Sequence, residues 1–202
     1  MPIVKPVFDL DSTALVGMIR RIVYEGKDLN GNYIEGPNPK FHIGVDVNPN
    51  ANLIEPEIRK LARKIEGEAD FIQTQACYDI ETTLEVLWML KISKTPLLVG
   101  IFPVKDYTTA HFFHAHVSGI SVPKDLMEQF EEVEQGSYSQ EAKHERYDQI
   151  NLDFFVPFIK ELKASNLSKE CHVMSVHYTE FIPKLLRGVR AVHEPTRPVI
   201  SP

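Results

Sequence analysis

Four apolar, β-favouring runs alternate with helical patterns along this chain of 202 residues, and that alternation constrains the fold more than any other feature. The runs are residues 41–47, 70–75, 97–102 and 172–176. Strands separated by helices pair in parallel, because each helix carries the chain back to the starting end of the sheet. The periodicity predicts helices from Asp11 or Ser12 to Gly26, then over 56–66, 80–92, 107–116, 123–134, 140–163 and 181–186. Asp11 or Ser12 suits an N-cap, and Gly26 a C-terminal stop. Leu84, Leu87 and Trp88 should face inward from the third helix. Tyr147, Ile150, Phe154, Phe158 and Leu162 should form one stripe of the long helix, which Pro157 should kink or split. The tail from Ala191 to Pro202 carries three prolines and is expected to be extended. Four strand–helix units are half of a (β/α)8 barrel, so the expectation is an α/β, TIM-barrel-like and incomplete barrel, residues 1–202 forming one domain. An open four-stranded sheet is the alternative, but no glycine-rich phosphate fingerprint follows its first strand.

The charge balance narrows the partners. A net charge of -6 argues against nucleic acid and anionic membranes, both of which call for a basic surface. No apolar run reaches the roughly 18 residues of a membrane span, and the N-terminus does not read as a secretory signal. Cys77 and Cys171 are then expected as reduced thiols of a cytoplasmic protein. The chain has no Gly-x-Ser-x-Gly, His-Glu-x-x-His or Cys-x-x-Cys motif, so hydrolase and zinc-site chemistry have no support.

Polar residues gather at or just beyond the strand ends: Asp46 and Asn48, Gln73 and Gln75, Lys105, His177 and Tyr178. In a parallel sheet these ends share one rim, where ligand sites of such folds form. Phe71, Gln73 and Gln75 lie on one face of their strand, and an inward-facing glutamine is costly unless its amide finds partners. His111, His114 and His116 do not share one helix face, so they read as surface histidines beside core Phe112 and Phe113. Cys77 reads as a small packing residue, and the Glu128 to Glu134 run as a solvated helix face. Arg59, Lys60, Arg63 and Lys64 make one dense basic helix face, suited either to solubility or to holding an anionic group such as a cofactor pyrophosphate.

Several stretches resemble the methylenetetrahydrofolate reductase family. They are residues 6–12 (Pro-Val-Phe-Asp-Leu-Asp-Ser), 60–75 ending in Ala-Asp-Phe-Ile-Gln-Thr-Gln, 99–104 (Val-Gly-Ile-Phe-Pro-Val), and the segment that starts Gly119-Ile-Ser-Val-Pro. The resemblance implies a flavin (FAD) barrel in which NAD(P)H reduces the flavin. The flavin then reduces 5,10-methylenetetrahydrofolate to 5-methyltetrahydrofolate. It implies that Gln75 contacts folate and assists its reduction, and that Phe113 sets a ring against folate. Lys64 would lie near the FAD phosphates, and Asn48 would contact the cofactor. Ala76 and Cys77 depart from the bulky aromatics the family carries after the glutamine.

The resemblance also implies that the chain starts where the family's fourth helix starts. The acidic proton donor, most flavin-ring contacts and the aspartate near flavin N1 would then belong to a missing first half. Two expectations follow: a reductase that works with a chain supplying that half, or a non-catalytic folate-binding or assembly subunit, for example a homo-oligomer pairing its open edges.

Overall fold

The computed structural model describes residues 10–91, 94–168 and 170–191. Residues 6–9 of the first resembling stretch, Ile92 at the predicted end of the third helix, and the tail beyond Ala191 lie outside them.

Helix α1 (Ser12–Arg20) starts at Asp11, whose Oδ1 accepts the Ala14 N–H at 2.7 Å. It runs into a π-helical turn, Arg21–Glu25, that ends at Gly26 in the left-handed region. Strand β1 (Gly44–Val47) and α2 (Ile54–Glu66) follow, then β2 (Phe71–Ala76) and α3 (Ile80–Leu90), then β3 (Leu97–Ile101). Helices α4 (Tyr107–His116), α5 (Lys124–Gln135) and α6 (Gln140–Ser165) separate β3 from β4 (Glu170–Val173). A 3-10 turn, Thr179–Phe181, leads into α7 (Ile182–Arg190). The four strands form one sheet in the order β1-β2-β3-β4, every pair parallel. Consecutive parallel strands in sequence order are the arrangement of a (β/α) barrel wall, and the expected α/β, TIM-barrel-like class is what the chain adopts.

The two faces of the sheet differ. Val45, Val47, Ile72, Thr74, Val99 and Ile101 are buried against the helices, while Gly44 and Asp46 are exposed and Phe71, Gln73 and Gln75 half-buried on the other side. The helix-covered face holds both hydrophobic clusters, one around Val47, Leu61 and Ile72 and a larger one around Ile101, Phe130 and Phe155.

Several details depart from the sequence expectations. Strand β1 begins at Gly44 rather than Phe41, which is 49% exposed. Strand β4 covers Glu170–Val173, earlier than 172–176, because its register with β3 runs from Leu98↔Glu170 to Ile101↔Val173. Trp88 is 68% exposed, and Val86 and Leu87 fill the inward face of α3. On α6 Tyr147, Phe158 and Leu162 are buried as expected, but Phe155 joins them while Ile150 and Phe154 are only half-buried. Pro157 neither splits nor ends α6. It lies with Asp153 on the exposed side, so the Asp153 carbonyl that loses its partner faces water. Phe112 is 53% exposed rather than a core residue.

One buried amide ties α6 to the end of β3. The Asn151 Oδ1 accepts the Val104 N–H at 3.1 Å, and its Nδ2 donates to the Val104 carbonyl at 2.8 Å and to the Tyr147 carbonyl at 2.8 Å. Both main-chain groups of Val104 are thus satisfied by one side chain in a site without water access. Nearby, the Tyr178 hydroxyl donates to Asp148, which also receives the Lys184 ammonium. Tyr178 is stacked on Phe181 with ring centroids 4.9 Å apart. Burial, then the Asp148 carboxylate, hold the Tyr178 hydroxyl protonated. Asn151→Leu strands the Val104 N–H and carbonyl together, so it should destabilise the fold by about 2–6 kcal/mol, from two buried groups at about 1–3 kcal/mol each. Urea unfolding followed by circular dichroism measures this, and a change below about 0.5 kcal/mol contradicts the role.

Candidate functional site

The C-terminal strand ends and the uncovered face of the sheet carry the polar residues. On that face is a hollow of about 360 Å³ lined by Gly44, Val45, Asp46, Phe71, Gln73, Thr74, Gln75 and Met174. Gln75 is half-buried there, and its side-chain amide makes no hydrogen bond to another described residue. Gln73, one layer deeper, sets its Nε2 2.6 Å from His172 Nδ1 on β4. An amide nitrogen donates, so Nδ1 accepts and the imidazole proton resides on Nε2.

A β-bulge presents Gln75. Between Gln73↔Leu98 and Ala76↔Gly100, β2 uses three residues where β3 uses two. The Gly100 N–H, lacking its usual carbonyl partner, donates to Thr74 Oγ1 at 2.8 Å, and that hydroxyl donates to the Gln75 carbonyl at 2.8 Å. A Cβ on Gly100 would lie 2.5 Å from the Thr74 carbonyl oxygen and 2.8 Å from Met174 Cε, so only glycine lets the bulge close. Sequence reasoning missed this device. Its nearest signal was the hydroxyl of Thr74 on the buried side of a strand.

The loops beyond the strands are stitched over this end. Asn50 Nδ2 donates to the Ala76 carbonyl and to the Gly119 carbonyl, each at 2.9 Å, and the Asn50 N–H donates to Asn48 Oδ1 at 2.9 Å. Gly119 has φ +86, and a Cβ there would meet Asn48 Nδ2 at 3.0 Å. Asn48 is therefore half-engaged, its oxygen taken and its nitrogen free among the described residues. Asp79, which follows the glutamine motif, caps α3 by accepting the Thr82 N–H at 2.9 Å. Phe113 packs on Phe102 with centroids 4.5 Å apart, at the end of β3. It does not line the hollow that holds Gln75.

Lys64 occupies a different place from the one its basic neighbours suggest. Arg59, Lys60 and Arg63 stay exposed, but Lys64 is 1% exposed. Its ammonium donates to the Asp46 carbonyl at 2.9 Å and to Asp46 Oδ1 at 2.7 Å. The Ile43 carbonyl accepts N–H groups of β2, and carbonyls alternate sides along a strand, so the Asp46 carbonyl faces the free edge of β1. Lys64 thus reaches from the helix layer round that edge to the uncovered face. The Asp46 side chain remains 61% exposed while the ammonium is enclosed, so the pair offers a carboxylate to the hollow. Burial pushes the Asp46 carboxyl up, but the Lys64 hydrogen bond and charge outweigh it and hold the group below its ordinary value of 3.8. An enclosed ammonium with two partners does not fit a pyrophosphate, and a carboxylate in front of it repels one. Asn48 Nδ2 can still donate to a cofactor.

Tyr178 belongs to the buried α6–α7 network rather than to the rim, and Lys105 pairs with Asp106 at 3.9 Å. His111, His114 and His116 are exposed on α4, and no group of three acidic, histidine or cysteine side chains poised for a metal occurs among the described residues. Cys77 is buried, which raises its thiol pKa, and burial followed by the nearby Cys77 pushes Cys171 up to about 11. Both stay thiols at neutral pH, without nucleophilic character. No helix among the described residues is long and apolar enough to cross a membrane.

Consecutive parallel strands, a helix-covered face and a polar rim define a protein of the (β/α)-barrel class. Residues 23–189 match the family model described as methylenetetrahydrofolate reductase, and the chain belongs to that family. Methylenetetrahydrofolate reductase 1 of Schizosaccharomyces pombe is 23% identical over 172 residues, which are 81% of this chain and 27% of that protein. A solved structure described as an uncharacterized protein from Clostridium thermocellum that binds two copies of 5-methyl-5,6,7,8-tetrahydrofolic acid shares the fold. It aligns with a TM-score of 0.52 at 16% identity, over 75% of this chain and 53% of its own. The chain spans about a quarter of the yeast relative's length and about half of the clostridial chain's.

The Lys64–Asp46 pair predicts an asymmetry in stability. Asp46→Ala leaves a buried ammonium without its counter-ion and should cost about 3 kcal/mol, whereas Lys64→Met leaves a carboxylate largely in water and should cost less. Because the folded-state pKa of Asp46 is depressed, the pair stabilises fully above the unfolded value of 3.8 and is lost as pH falls through the lower folded value. Urea titrations of both variants from pH 7 to pH 2.5 measure this. Equal costs at pH 7, or a gap between wild type and Lys64→Met that widens on acidification, contradict it.

Proposed function

We propose that this chain is the folate-facing part of a methylenetetrahydrofolate reductase barrel, with residues 1–202 as one domain working in the cytoplasm. The reaction it serves is reduction of 5,10-methylenetetrahydrofolate to 5-methyltetrahydrofolate, with FAD as cofactor and NAD(P)H as reductant. The observation that carries this reading is Gln75, an unpaired amide presented by a β-bulge into an open hollow of a chain from this family. The folate bound by the clostridial structure supports the ligand class.

In this reading Gln75 hydrogen-bonds folate and orients it, while Gln73 and His172 hold the floor of the hollow beneath it. Phe113, fixed by Phe102, sets an aromatic ring at the same end of the sheet, where it stacks on the folate. When bound, a flavin supplies the hydride chemistry, which amino-acid side chains lack. From this chain Asn48 reaches it through Nδ2, and other strands of a completed barrel supply the rest of its site. The edges of β1 and β4 are where those strands add.

A second reading has its own observation. Lys64 is committed to Asp46, so a chain that binds folate without redox chemistry is also served by this geometry. Titration calorimetry of the chain with 5-methyltetrahydrofolate tests both. Saturable binding that Gln75→Ala weakens about tenfold supports the folate reading, from one hydrogen bond of about 1.5 kcal/mol. Saturable binding unchanged by that substitution removes Gln75 from the site. A stoichiometric yellow preparation of the chain alone contradicts the need for further strands.

A further inference from the structure

Resting on the folate reading above, we propose that Asp46 recognises the ligand's heterocycle by accepting its adjacent N–H donors, with Lys64 as the positioning residue that fixes the carboxylate. The hollow's free polar atoms are mainly acceptors. Lys64 engages Asp46 Oδ1 from behind, and the carboxylate stays 61% exposed toward the hollow. The Gln73 nitrogen is committed to His172, which leaves its Oε1 free. The cation in contact with Asp46 is enclosed and committed to it, so it is not offered to an anionic ligand.

A ligand suited to such a lining brings donors rather than acceptors. A ring N–H beside an exocyclic amino group, as in the 2-amino-4-oxo pteridine ring, presents two parallel donors to one carboxylate, the same fork that makes carboxylate–guanidinium pairs strong. Phe71 and Met174 line the same hollow and give a flat ring apolar contact on its faces. The enclosed ammonium keeps the carboxylate ionised and in one orientation before the ligand arrives, which spares the cost of ordering it on binding. Asp46 lies one strand away from Gln75, so the two side chains address different parts of one ligand. This assignment also accounts for the burial of Lys64: its charge is spent on holding Asp46 rather than on a pyrophosphate.

The test is a cycle of two proteins and two ligands, read by titration calorimetry on the full chain. The ligands are 5-methyltetrahydrofolate and its analogue lacking the 2-amino group. Wild type should prefer the 2-amino compound by about 10- to 100-fold, the range of a charge-assisted hydrogen bond, and Asp46→Asn should abolish most of that preference. Asp46→Asn strands the buried ammonium, so the double variant Asp46→Asn/Lys64→Met provides the folding control. It should recover thermal stability yet stay as weak as the single variant. If the double variant regains wild-type affinity, or if Asp46→Asn keeps the preference, Asp46 is only a counter-ion for Lys64 and the proposal falls while the folate reading stands. If wild type binds neither compound, the folate reading fails and takes this proposal with it.

Discussion

A buried lysine ammonium has to be neutralised where it lies, and in this chain that requirement organises the first half of the sheet. Lys64 sits on α2, one of the helices that cover the sheet, and among the described residues its only charged partner at hydrogen-bond distance is Asp46 on β1. Satisfying it pins the end of β1 to α2 and occupies a carbonyl on the free edge of the strand. It also turns a carboxylate toward the uncovered face. Lysines are a common means of blunting an exposed strand edge. Here the same contact sets the charge of the hollow in which Gln75 stands. Fold and site electrostatics therefore share one interaction.

The other end of the hollow depends on main-chain bookkeeping. The bulge in β2 leaves a Gly100 N–H that only the Thr74 hydroxyl reaches, and the absence of a side chain on Gly100 gives that exchange room. Asn50 in its loop and Asn151 on α6 perform related tasks, each satisfying main-chain groups on two separate segments. These amides and hydroxyls replace ladder hydrogen bonds where the strands end, and the irregular backbone at a rim is what allows side chains to aim at a ligand. The C-terminal helices are fixed independently, through Asp148, Tyr178 and Lys184.

Much of this was legible from residue patterns. The order of strands and helices, the capping aspartate of α1 and the alternation on β2 follow from local periodicity, which depends on nothing distant in the chain. Trp88 and Phe112 defeated that reasoning because hydrophobic character does not decide which side of a short helix is covered; the neighbouring elements do. Pro157 was tolerated because its lost partner faces water. Lys64 was the sharpest lesson at the site. Four basic residues within one helix look alike in sequence, and only the approach of β1 reveals that one of them is enclosed. The bulge was hidden for a similar reason, since register between strands is a property of the pair.

The proposed reading sets Gln75 in a folate context, and the geometry offers it a free amide, an ionised carboxylate and a non-polar lining on one uncovered face. In the proposed reading, the edges of β1 and β4 and the half-covered sheet belong to a larger barrel wall. The most direct measurement is a nitrogen-15 map of the side-chain amides during titration with 5-methyltetrahydrofolate. The account predicts that the Gln75 and Gln73 side-chain signals move first and furthest while that of Asn151, buried on the helix side, stays fixed. Shifts centred on Asn151, or saturation with the Gln75 signal unmoved, would contradict it.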